Sequence, residues 1–137
     1  GFMPPSAFLD LTAFNLYYSD TGIMSARTGM NLERLLGNEA DHFRGIFAEN
    51  YVACALRSNG YELLYWESEG SAEVDFLIIK DNHVIPVECK AGDHVKAKSL
   101  KVYREKYHPI YSIRISTRNF GMVDQIKSVP LYAVFCI

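Results

Sequence analysis

Apolar and polar positions along the chain fall into segments with two different periods. The clearest segment is 71–92, SAEVDFLIIKDNHVIPVECKAG. Two apolar runs of strand length, 74–79 and 84–89, flank the polar stretch Lys80-Asp81-Asn82-His83, which predicts a β-hairpin. Upstream, residues 39–58 place Phe43, Ile46, Phe47, Val52 and Leu56 at three- and four-residue spacing, the stripe of an amphipathic helix that Asn59-Gly60 closes. Ala48, Ala53 and Ala55 predict close packing of that helix on a sheet. Residues 61–67 (YELLYWE) read as a strand, with a turn at 68–71. Further on, residues 95–107 put Leu100, Tyr103 and Tyr107 on one helical face, and His108-Pro109 ends that helix. Residues 110–116 alternate as a strand, 120–127 read as irregular or a short helix, and 131–136 as a final buried strand after Pro130. Near the start, 14–22 (FNLYYSDTG) predicts a short strand ending in a turn. Residues 23–36 predict one helix or two short ones, interrupted at Gly29 and stopped by Gly37-Asn38.

From residue 39 the order is helix, three strands, helix and two strands, which predicts an α/β sandwich with a mixed sheet and excludes a doubly wound nucleotide fold. With 137 residues, 49% of them hydrophobic and 22% charged, the chain is expected to form one domain, 1–137, with a core that needs no staples. The net charge of −2 excludes a polycation, so a contact with nucleic acid would need a local basic patch. Cys54, Cys89 and Cys136 are odd in number and set among apolar residues, and they predict reduced core thiols of a cytoplasmic protein. Tyr17, Tyr18, Tyr61, Tyr65, Trp66 and Tyr132 are most simply core aromatics. The histidines show no zinc-ligand spacing, and no apolar run has the length of a membrane span. The chain opens on Gly1 without an initiator methionine, and it is expected to be a piece of a longer protein.

Charges interrupt the two central strands. Glu73 and Asp75 are two residues apart, as are Glu88 and Lys90, so each pair shares one face of its strand. If those faces coincide, three carboxylates and an ammonium group converge. The helix at 39–58 brings Glu49 toward the same sheet. Such a patch is either a metal or phosphate site or an ion-pair network that sets strand register, and networks of that kind are costly to desolvate.

A Glu on a helix, an Asp on a strand, and then Glu-x-Lys a dozen residues later resembles the PD-(D/E)xK phosphodiesterase superfamily. The resemblance implies a restriction-endonuclease-like fold, a mixed β-sheet flanked by helices. It also implies Mg²⁺ held by Asp75 and Glu88 with help from the Cys89 carbonyl, Lys90 steadying the scissile phosphate and Glu49 orienting a metal-bound water. The chemistry is coherent, because Mg²⁺ takes hard oxygen ligands and offsets charge on a phosphate undergoing attack. The proline that commonly precedes the first acid is absent, since Glu73-Val74 stands before Asp75. A narrower likeness runs through FNLYYSDTGIM, FAENYVACAL, LLYWESEGSAEVDFLI, VIPVECKAG and SLKVYREKY. These segments resemble the DUF4143 domain, usually the C-terminal part of ATPases of the AAA type.

The expected function is therefore a Mg²⁺-dependent nuclease-like domain attached to an ATPase domain of the same chain. DNA is the expected substrate, Lys98 and Lys101 are the candidate phosphate contacts, no membrane is involved, and assembly into an oligomer is compatible with the role. The alternative is a catalytically inactive nuclease-like module that binds DNA or a partner protein for the ATPase.

Overall fold

The computed structural model describes residue 17 and residues 40–90 and 98–137, with the side chains of 40–44 left aside. The strand expected at 14–22, apart from Tyr17, the helical segment at 23–36 and the start of the second helix at 95–97 lie outside the described residues.

Helix α1 (Ala40–Ser58) buries Val52 and Leu56 of the expected stripe, with Phe47 half-buried, and Ala48 and Ala53 where the helix meets the sheet. Ile46 falls on the flank of that stripe and is exposed, whereas Asn50 is buried. The helix ends where Tyr61 N donates to Leu56 O at 3.0 Å and Gly60 N donates to Arg57 O at 2.9 Å. Gly60 takes φ +86° to do so, a left-handed conformation that a side chain would resist.

Six strands follow, interrupted by one helix: β1 (Leu64–Glu67), β2 (Glu73–Lys80), β3 (His83–Cys89), α2 (Lys98–Tyr107), β4 (Ser112–Ser116), β5 (Gly121–Val123) and β6 (Ile126–Pro130). They form a single mixed sheet in the order β1-β2-β3-β4-β6-β5. β1, β2 and β3 run antiparallel, β3, β4 and β6 are parallel to one another, and β5 pairs antiparallel with β6 at the edge. The predicted hairpin is present. Lys80 pairs with His83 around Asp81 at φ 50° and Asn82 at φ 65°, a two-residue turn whose twist suits the strands.

Alternation along the strands separates two apolar layers. Phe76, Ile78, Ile85, Val87, Ile113, Ile115 and Val129 face α1 residues Val52, Ala53 and Leu56. On the other face Leu64, Trp66, Val74 and Leu77 pack with Tyr103 of α2, and Trp66 Nε1 donates to the Tyr107 hydroxyl at 3.2 Å.

The C-terminal part departs from expectation. Residues 120–127 form no helix: they contain β5 and the start of β6, joined by Asp124 at φ 49° and Gln125 at φ 60°. All three β5 side chains are exposed, so no apolar period announces the strand, and Gln is not a residue that marks such a turn. The turn is held from outside, because Arg104 of α2 donates to the Asp124 carbonyl and Ser112 N donates to Gln125 O at 2.9 Å. Residues 131–136 are a 3₁₀ helix (Leu131–Cys136) and not a strand. Val134 and Ile137 are buried and Leu131 packs beside them, a three-residue spacing that suits a 3₁₀ turn. Tyr132 and Cys136, expected in the core, are consequently exposed. Among the described residues no helix is long and apolar enough to cross a membrane.

Candidate functional site

Asp75 sits at an irregularity in β2. β1 places Leu64 opposite Leu77 and Trp66 opposite Val74, so two steps on β1 face three on β2. The extra residue is a β-bulge at Asp75-Phe76. Val74 and Leu77 both reach the α2 layer while Phe76 reaches the α1 layer, which turns Asp75 toward α1 with Phe76. The regular β2–β3 ladder ends at Phe76 and Val87. Beyond it, the Asp75 carboxylate replaces a backbone acceptor and takes the Cys89 N–H on Oδ2 at 2.6 Å.

Around Asp75 the α1 face is polar and half-buried. Tyr17 donates its hydroxyl to Glu49 Oε1 at 2.9 Å, and its ring lies 5.7 Å from that of Phe76. Burial raises the Asp75 carboxyl to about 6; the Cys89 N–H opposes this, Glu49 adds to it, Lys90 opposes it and Glu88 adds to it. Burial, then Asp75 and Glu49, push the Cys89 thiol up to about 12. The Tyr17 hydroxyl is likewise raised, by burial and by Glu49. Glu49 therefore does approach the sheet at Asp75, as expected.

Glu88 belongs to the other face. It alternates with Val87 and Cys89, which belong to the α1 layer, and lies in register with Arg114 on β4. Its side chain is 3% exposed and each oxygen meets a cation: Oε1 is 3.2 Å from Lys90 Nζ, and Oε2 is 3.2 Å from Arg114 Nε. Lys90 is thus brought to Glu88, as the two-residue spacing implied. Arg114 was not among the residues singled out from the sequence, although a basic residue between Ile113 and Ile115 in a buried strand was the available signal. Glu73 is exposed at the start of β2.

On α2, Lys98 and Lys101 are exposed. Lys101 Nζ lies 3.7 Å from Glu105 Oε1 one turn on, Arg104 is committed to the β5–β6 turn, and Lys106 Nζ stands 5.3 Å from the Tyr107 ring centre. With Lys98, Lys101, Arg104 and Lys106 against Glu105, the helix is basic on its outer side.

These positions do not fit the expected Mg²⁺ set. The ion needs several oxygens converging from one side, yet Asp75 and Glu88 lie on opposite faces, both Glu88 oxygens are taken by cations, and Cys89 turns an N–H toward the acid. Among the described residues no group of three or more His, Cys, Asp and Glu side chains is placed to hold a metal ion.

A mixed sheet carrying a helix on either face, with acids and cations gathered at the end of β3, defines the class. The family model described as "Domain of unknown function (DUF4143)" matches residues 44–134, and the chain belongs to that family. No curated protein and no solved structure matches it.

Proposed function

We propose that this domain is a restriction-endonuclease-like fold that grips DNA without cutting it, as an accessory module of an ATPase domain in the same longer, cytoplasmic chain. One observation carries the reading: the Glu88 carboxylate is saturated by Lys90 and Arg114, while Asp75 is bonded to the Cys89 amide on the other face. The acids are spent on holding strands and cations in place. Lys90 and Arg114 keep part of their side chains at the surface of the sheet, and Lys98 and Lys101 are exposed on α2, cations suited to tracking phosphates.

The link to an ATPase rests on the resemblance in the ENYV, EVDF and PVECKAG segments. A Mg²⁺-dependent phosphodiesterase is the second reading. It is favoured by Glu49, Glu88 and Lys90 all lying near enough to act on the Asp75 carboxyl.

The test incubates supercoiled plasmid with the protein in Mg²⁺ or Mn²⁺ and, in parallel, titrates a labelled duplex at several salt concentrations. The plasmid is expected to stay intact. Duplex binding is expected to weaken with salt and to fall about tenfold or more in Lys98→Glu with Lys101→Glu. Nicking that disappears in Asp75→Ala would instead establish the phosphodiesterase.

A further inference from the structure

A row of side chains crosses the sheet on the face opposite α1. Glu88 pairs in register with Arg114, Arg114 with Ser128, and Ser128 with Gly121. Cross-strand neighbours in register share a face, and Val87, Ile113, Ile115 and Val129, their alternates, lie in the α1 layer. The row therefore runs from a buried carboxylate through a guanidinium and a hydroxyl to a position with no side chain.

Its charge balance favours an anion. Glu88 is sealed at 3% exposure, while Lys90 and Arg114 keep 23% and 24% of their side chains at the surface. Two cations on one carboxylate leave a net charge of about +1. Arg114 uses Nε on Glu88, and its planar head carries further N–H donors in the fork geometry that suits phosphate oxygens. Ser112, two residues along β4 and on the same face, is fully buried, and its hydroxyl has no hydrogen-bond partner among the described residues. At the far end, a Cβ built on Gly121 would meet nothing within 4 Å, so the row opens into free space.

We propose that Arg114 and Ser128, with Lys90 beside them and the open end at Gly121, form a phosphate-binding strip. The proposal deepens the DNA reading and rests on it for the source of the phosphate, a backbone diester. Free phosphate presents the same oxygens, and the experiment separates the two.

Gly121 is the decisive position, because a side chain there has room and needs no unusual backbone. It lies two strands from Arg114, about 10 Å away, within the range of an unscreened charge. Gly121→Lys, Gly121→Glu and Arg114→Gln are compared in the full chain by titrating a short labelled duplex, with NMR of the arginine Nε–H signals during addition of inorganic phosphate. Gly121→Lys is expected to tighten duplex binding about three- to tenfold and Gly121→Glu to weaken it as much, with melting temperature unchanged. Phosphate is expected to shift the signal that Arg114→Gln removes. If the duplex binds but neither Gly121 variant alters its affinity, the strip is wrong and the DNA reading stands on α2. If phosphate shifts Arg114 and no duplex binds, the strip stands as a small-phosphate site and the DNA reading falls. If neither ligand binds, both fall. Should Arg114→Gln misfold, the Gly121 pair still decides.

Discussion

Arg114 and Glu88 stand opposite each other on adjacent parallel strands, Nε to Oε2 at 3.2 Å, although 26 residues and a whole helix separate them in the chain. The backbone register of β3 on β4 sets this pair. It decides how much of the acid cluster is left for chemistry.

Because Glu88 is buried, removing its partner strands a charge where water cannot reach. Arg114→Met is expected to cost about 2–4 kcal/mol in urea denaturation, with Lys90 limiting the loss. Replacing both, Glu88→Leu with Arg114→Met, is expected to cost less than Arg114→Met alone, since no buried carboxylate then remains. A double variant that loses the full sum of the two single effects would show that the residues act independently.

Asp75 ties stability to pH in an unusual direction. Its carboxyl titrates at about 6 in the folded chain against an ordinary 3.8, so the folded state holds a proton that the unfolded state has already released. The contribution of this group is full below about pH 4, declines as pH rises toward 6 and is lost above it. The span is on the order of 3 kcal/mol. Asp75→Asn keeps an acceptor for the Cys89 amide and cannot ionise. Denaturation curves between about pH 4 and pH 7 should therefore show its stability gaining on the wild type as pH rises. A wild-type-to-variant difference constant across that window would refute the assignment.

Gly60 closes α1 at φ +86°, a conformation that penalises any Cβ. Gly60→Ala is expected to destabilise by about 1 kcal/mol, and helical content by circular dichroism should stay the same, because only the cap is strained.

The thiols should separate by reactivity. Cys136 is exposed, whereas Cys89 is half-buried with its thiol pushed up to about 12. With an aromatic disulfide reagent at about pH 8, Cys136 is expected to react fast and Cys89 only on unfolding. Cys136→Ser should remove the fast phase.

Much of the architecture was legible because it is written in local periods. The Val52–Leu56 part of the α1 stripe, its Asn59-Gly60 stop, the Asp81-Asn82 hairpin and the Leu100–Tyr103 face of α2 each depend on residues within a few positions of one another, and each is present. The β5–β6 hairpin was not legible, since its side chains are exposed and its Gln125 turn is held by Arg104 from another element. The 3₁₀ helix at the C-terminus was mistaken for a strand because six mainly apolar residues, LYAVFC, carry no period that separates the two.

The candidate site divides in the same way. By itself the sequence determined which charged groups lie near the end of β3, namely Asp75, Glu88, Lys90 and, through α1, Glu49, because strand alternation and the hairpin bring them there. Only the tertiary structure decided that they split into two groups, Glu88 with Lys90 on one face of the sheet and Asp75 with Glu49 on the other. A single extra residue in β2 reverses the face on which Asp75 falls, and the parallel pairing of β3 with β4 delivers Arg114 to Glu88. Both are properties of how strands meet, and register between strands distant in sequence is not encoded in the spacing within either one.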